Sequence, residues 1–182
     1  MSHVAGDPTI FGLLAEFVHP EEVVEAASKA FEAGYRQLDA YSPYPVDGLA
    51  EACGFTKNRV APITLIGGLV GGFGGFFMQW FSAVVHYPIN VGGRPLNSWP
   101  SFIPITFEMT VLFATLFGVV GMLLLNGLPR LHHPVFHVPR FELASRSRFF
   151  LSIQATDPKF ELSATREFLQ SLNPQGVDVV PW

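Results

Sequence analysis

Among the 182 residues there is one cysteine, Cys53. That excludes an intrachain disulfide, a Cys-x-x-Cys-His haem attachment and a four-cysteine cluster held by this chain alone. Charge is scarce as well: 14% of residues are Asp, Glu, Lys or Arg, and the formal net charge is −4. No basic patch interleaves with aromatics, which argues against nucleic acid as a partner. Nucleophile elbow, phosphate loop, HExxH and paired-carboxylate signatures are all missing, so nothing resembles a self-contained active site. No apolar stretch follows a basic start, position 2 is Ser2 and not glycine, and no cysteine lies near the C-terminus. Neither a cleaved signal peptide nor a lipid anchor is expected.

What is plentiful is unbroken apolar sequence. Val60 to Val85 carries no charge; its about 26 residues would span about 39 Å as a helix, more than a bilayer core. Phe102 to Leu125 is a second such run, and of the fifteen acids only Glu108 lies inside either. The pair predicts a transmembrane hairpin, with helices at about 60–85 and 102–126 and a loop at about 86–101. Lys57 and Arg59 precede it and Arg130, Arg140, Arg146 and Arg148 follow, while the loop holds Arg94 alone. By the positive-inside rule both termini are expected in the cytoplasm and the Tyr87–Ser101 loop outside.

On either side of the hairpin the pattern repeats. Thr9–Phe17 reads as a buried strand. His19-Pro20-Glu21-Glu22 opens a helix with proline and acids in its first turn, Val23, Val24, Ala27, Ala30 and Phe31 give it an apolar stripe, and Gly34 ends it. Gln37–Tyr41 is a second strand, broken by Ser42-Pro43-Tyr44-Pro45. Beyond the hairpin, Arg148–Ala155 reads as a strand, Ser163–Leu172 as a helix and Val177–Val180 as a last strand. Two such units make βαββαβ, the ferredoxin-like split βαβ arrangement with two helices on one sheet face. The expected class is thus an α+β membrane protein: residues 1–55 as the first half of a cytoplasmic domain, 56–147 as the hairpin with its flanks, and 148–182 as the second half. Long insertions of this kind are tolerated because closure entropy grows slowly with length. Two separate βαβ fragments, each docked on other subunits, is the alternative.

Within the hairpin, Gly67, Gly71 and Gly75 recur every fourth residue, with Gly68 and Gly72 as a parallel row. In lipid, close backbone approach through small residues drives helix association. This face is expected to meet either the second helix of the hairpin or a helix of another subunit. The stripe continues into Gln79, Ser82 and His86. On the second helix, Glu108, Leu112, Thr115, Gly118 and Met122 form a stripe that should face protein, because a charged acid in lipid costs about 2.5–3.5 kcal/mol at the centre. Glu108 therefore has two readings: protonated or hydrogen-bonded to Gln79, Thr106, Thr110 or a neighbouring subunit, or a proton-carrying group near a quinone or water path on the outer side. Trp80, Tyr87, Trp99 and Phe102 read as an interfacial aromatic belt. Arg94 reads as a solvated or subunit-facing charge, or a partner for an acid or haem propionate. His132, His133 and His137 surround Pro134, which keeps them off one helical face, so a metal or haem site there is not expected.

The strings GLLAEF, AYSPYPVDGL, YPINVGGRPLNSWPSFIPITFE, NGLPRLHHPVF and RFFLSIQATDPKF resemble the D subunit of bacterial alternative complex III, over about Phe11 to about Leu172. The resemblance implies a small two-helix, non-catalytic subunit of a quinol oxidoreductase in the bacterial inner membrane. Such a complex serves respiratory or photosynthetic electron transfer, passing electrons from quinol to a cytochrome c or another periplasmic carrier. It further implies that haem c and iron–sulfur clusters sit in multihaem cytochrome and iron–sulfur partner subunits, with no cofactor in this chain. Polysulfide-reductase-like membrane subunits would be its lipid-embedded neighbours. The rival reading is a membrane-anchored adaptor whose ferredoxin-like domain senses a ligand.

Overall fold

The computed structural model describes residues 9–182; the part of the first expected segment before Thr9 lies outside them. The chain divides into two compact units, residues 9–56 with 131–182, and residues 57–130.

The first unit is built on a four-stranded sheet of β1 (Ile10–Phe17), β2 (Leu38–Tyr41), β3 (Phe149–Gln154) and β4 (Gly176–Pro181). Its strand order is β2-β3-β1-β4, and every neighbouring pair is antiparallel. Gly12 pairs with Gln154 and Phe17 with Phe149 across β1 and β3. A side chain at Gly12 would strike the Ile153 carbonyl, so this close strand approach needs glycine. The neighbouring register shift against β4, between Ile10 and Gly12, is where Phe11 turns toward the opposite face from Leu13.

Helix α1 (Pro20–Glu32) begins where the sequence predicts. Pro20 takes the first position, where a missing N–H costs least, and Glu22 Oε2 accepts from His19 N at 3.1 Å and Val18 N at 3.2 Å. Val23, Ala26, Ala27 and Ala30 are buried, and Gly34 ends the helix at φ +102°. Phe31 is only partly buried, with the Arg36 guanidinium 4.1 Å above its ring. A single turn, α2 (Leu49–Ala52), interrupts the loop after β2. Beyond β3, α5 (Leu162–Ser171) contributes Thr165 and Leu169 to the core.

Both faces of the sheet are covered. On one, Leu13, Ala15, Phe17, Phe149, Leu151 and Ile153 pack with α1 and α5. On the other, Phe11, Leu14, Phe150 and Val180 pack with Val135, Val138, Phe141 and Ala144 from two 3-10 segments, Pro134–His137 and Pro139–Ser145. The sequence pattern places these residues in a flank of the hairpin, whereas in the structure they roof the sheet. Runs apolar at successive positions, such as Phe11–Ala15 and Phe149–Leu151, are what burial on both faces produces. Glu16, 2% exposed on this second face, accepts from Arg140 Nη2 at 2.8 Å and lies 3.4 Å from Arg148 Nε.

Asp157 ties the loop before β2 to the turn after β3. Its carboxylate accepts from Arg36 N (2.6 Å), Gln37 N (2.8 Å) and Lys159 N (2.8 Å). Burial alone would raise its pKa, but these three donors and the Arg36 charge outweigh burial and hold it below the ordinary value. A depressed carboxyl stabilises fully above its unfolded pKa, and that stabilisation fades as pH falls through the native value. Asp157→Asn is expected to cost about 1–3 kcal/mol at neutral pH. Hydrogen exchange at the Arg36 and Gln37 amides should show it, with the difference from wild type shrinking in acid.

The second unit is the hairpin. Helix α3 (Val60–Trp80) runs directly into a π-helical turn, Phe81–His86, and α4 (Trp99–Leu125) returns. Both continuous stretches, Val60–His86 and Trp99–Leu125, hold 27 residues and are long and apolar enough to cross a membrane. Asn58 Oδ1 accepts from Val60 N at 3.0 Å and caps the start, while Gly127 (φ +62°) ends the return helix. The return helix starts at Trp99, three residues before the predicted position, because Pro100 fits its first turn.

Candidate functional site

Gly67, Gly71 and Gly75 are the buried residues of α3, and their face meets α4. A Cβ at Gly67 would lie 2.5 Å from Phe117 Cβ and 2.7 Å from the Phe113 carbonyl oxygen. One at Gly71 would strike the Met109 carbonyl, and one at Gly75 would lie 2.9 Å from Met109 Cβ. The glycines thus form a groove that the large side chains Met109, Phe113 and Phe117 fill. Toward the other end of the hairpin the roles reverse. Gly118 faces Thr64, whose Oγ1 would lie 2.9 Å from an added Cβ, and buried Gly121 faces Ile63.

Gln79 closes the seam. Its Nε2 donates to the carbonyls of Gly75 and Phe102, each at 3.1 Å, with Thr106 Oγ1 at 3.4 Å. The threonine hydroxyls turn back on their own helices: Thr64 to Val60 O, Thr106 to Phe102 O and Thr110 to Thr106 O. This leaves the inner seam without an unmet donor of its own, as a low-dielectric setting demands.

Glu108 is not in that seam. It is exposed, and among the described residues it makes no hydrogen bond or ion pair; Gln79, Thr106 and Thr110 all bond elsewhere. At 100° per residue the inward row of α4 is Thr106, Met109, Thr110, Phe113 and Phe117, and Glu108, Leu112 and Thr115 fall on the opposite side. Leu112 and Thr115 are exposed, and Thr115 Oγ1 satisfies itself on Val111 O at 2.9 Å. Of the predicted packing residues, then, Gly67, Gly71, Gly75, Gln79 and Gly118 come together inside the hairpin, while Glu108 and Thr115 look outward. The α4 knobs Met109, Phe113 and Phe117, and Gly121, were not among them. The signal for Met109, Phe113 and Phe117 is the need for bulk opposite a glycine groove; that for Gly121 is the need for a small residue opposite Ile63.

The outer surface of the hairpin is apolar: Phe73 is 74% exposed and Phe107 69%. Exposed apolar area on this scale marks contact with protein or membrane.

In the sheet unit, His133 rests edge-on against Phe11 at 5.2 Å, and the rings of His132 and His137 lie 4.8 Å apart. Among the described residues no group of three His, Cys, Asp or Glu side chains could hold a metal ion. Cys53 is buried, and burial, then the nearby Asp39 charge, pushes its thiol up to about 11. In the folded protein Cys53 should resist maleimide at pH 8 and react at the rate of an ordinary thiol once denatured; fast labelling of native protein would contradict its placement.

Residues 11–179 match the family described as alternative complex III, ActD subunit. No curated protein matches the chain.

Proposed function

The chain belongs to the ActD subunit family of alternative complex III, and from that premise we propose that it is a non-catalytic subunit whose hairpin is an adhesive element of the membrane arm. Membership of this family, with two helices apolar enough to cross a bilayer, makes it a membrane protein and gives it the other subunits of the complex as partners. The observation that carries the finer reading is the division of polar groups in the hairpin. The inner seam of Gly67, Gly71, Gly75, Gln79 and Gly118 is used up holding two helices together, whereas Glu108 and Thr115 point away from it. An outward acid within a lipid-embedded helix is expensive unless a partner supplies a donor, so this stripe docks on a larger membrane subunit of the polysulfide-reductase-like kind.

Both helices span the inner membrane, with Lys57, Arg59 and Arg130 at the cytoplasmic ends and the loop after His86 in the periplasm. The sheet unit is a cytoplasmic ferredoxin-like domain divided by the hairpin, a reading supported by its β2-β3-β1-β4 order and antiparallel pairing. Redox chemistry, with its haem c and iron–sulfur centres, belongs to partner subunits. In its stronger form the proposal gives Glu108 a place on a proton path.

Extraction in mild detergent followed by mass spectrometry tests the assignment. The chain should travel with haem-bearing and iron–sulfur partners and with quinol oxidation activity. Emergence alone and colourless would favour an independent membrane-anchored adaptor.

A further inference from the structure

The hairpin carries a second feature that the packing role leaves unused. Where α3 passes into its π-helical turn, a cavity of about 530 Å³ opens between the helix ends and the connecting loop. Gln79, Ser82, Tyr87 and Arg94 supply its polar lining, and Met78 and Phe102 lie among its apolar wall. A π-helical turn widens the backbone locally and frequently marks a functional position. Here it brings Ser82 and Tyr87 to the same cavity, with Tyr87 N donating to Ser82 O at 3.0 Å across the turn.

Charge decides the class of ligand. Arg94 is the one Asp, Glu, Lys or Arg between Arg59 and Glu108, and among the described residues its guanidinium makes no ion pair or hydrogen bond through its side chain. An unpaired guanidinium beside two hydroxyl groups is a set of donors without a fixed acceptor, which suits a phosphate group. Next to Met78 and Phe102 in sequence, Phe77 and Ile103 are exposed apolar residues of the same two helices. Trp80, Tyr87 and Trp99 put this end of the hairpin at headgroup depth. One ligand class has a phosphate to meet Arg94 and chains to lie along that wall.

We propose that this cavity is a binding site for an anionic phospholipid, with Arg94, Ser82 and Tyr87 holding the headgroup phosphate and Met78 and Phe102 bearing on the first part of an acyl chain. It rests on the reading of the hairpin as membrane-spanning. A bound lipid here would fix the loop and the widened turn at the membrane surface.

The test uses the whole complex in nanodiscs with a photoactivatable phosphatidylglycerol, compared with the matching phosphatidylcholine. Phosphatidylglycerol should label the segment 78–102 in preference to phosphatidylcholine. Arg94→Gln should weaken that labelling by about tenfold, the usual scale for losing a charge-assisted hydrogen bond, and Arg94→Lys should keep most of it. Inorganic phosphate in millimolar amounts should not displace the lipid, because it cannot use the apolar wall. Equal labelling by both lipids, unchanged labelling in Arg94→Gln, displacement by inorganic phosphate, or crosslinking of Arg94 to an acid of another subunit would each overturn the site. Should Arg94→Gln fail to assemble, the labelled peptide in unmodified complex still decides. Lipid labelling elsewhere on the hairpin but not at 78–102 sinks this site alone; none anywhere on the hairpin sinks the membrane reading beneath it.

Discussion

Gly71→Ala is expected to destabilise the hairpin by at least about 2 kcal/mol, and Gly71→Leu to prevent it from closing. The added Cβ would run into the Met109 carbonyl and lie 2.8 Å from Phe113 Cβ. A carbonyl in the middle of a helix cannot swing aside as a side chain can, so the helices must separate. Separation forfeits the contacts of Met109, Phe113 and Phe117 and the Gln79 bond to Phe102 O. Gly74→Ala is the control. Nothing lies within 4 Å of its Cβ position, and alanine is the better helix former by about 1 kcal/mol, so this variant should be neutral or slightly more stable. Denaturant unfolding in detergent, followed by energy transfer between labels on the two helices, would separate them. Equal effects at Gly71 and Gly74 would mean the glycine groove is not where the helices meet.

Glu108→Leu has a different expected signature. Because Glu108 is exposed and makes no hydrogen bond or ion pair among the described residues, the hairpin itself should be as stable as wild type or more so. The complex, however, should hold at least about tenfold less of the subunit, since leucine leaves the partner's donor buried and unpaired, a loss on the order of 1–3 kcal/mol. Glu108→Gln keeps an acceptor and should assemble. If the carboxyl also carries protons, that assembled variant oxidises quinol more slowly than wild type. Wild-type abundance and activity in Glu108→Leu would remove Glu108 from both roles.

Much of the fold can be read from residue pattern because its causes are local. Pro20 with Glu21 and Glu22, Gly34, and the alternation of apolar runs with breaks mark the sheet unit's elements to within a residue or two. The cover over its second face is harder. Residues 134–145 form 3-10 turns broken by Pro134 and Pro139, which leave no helical or strand period. Only the two-sided burial implied by the apolar runs Phe11–Ala15 and Phe149–Leu151 points to them. The inward face of α3 is legible because small residues repeat every fourth position. That of α4 is less so: Glu108 and Thr115 look like members of a packing stripe by polarity and size, but complementarity to a glycine groove calls for the large row Met109, Phe113 and Phe117, with Gly118 facing Thr64 beyond it. The π-helical turn leaves no periodic mark in Phe81–His86 at all.

The most direct measurement places a photocrosslinking amino acid at Thr115 and irradiates native membranes. With Glu108 and Thr115 on the face that docks into the membrane arm, the crosslinker should capture another polypeptide of the complex in high yield. Adducts with lipid alone would mean that this face looks into the bilayer and that the hairpin does not bind its neighbours through it.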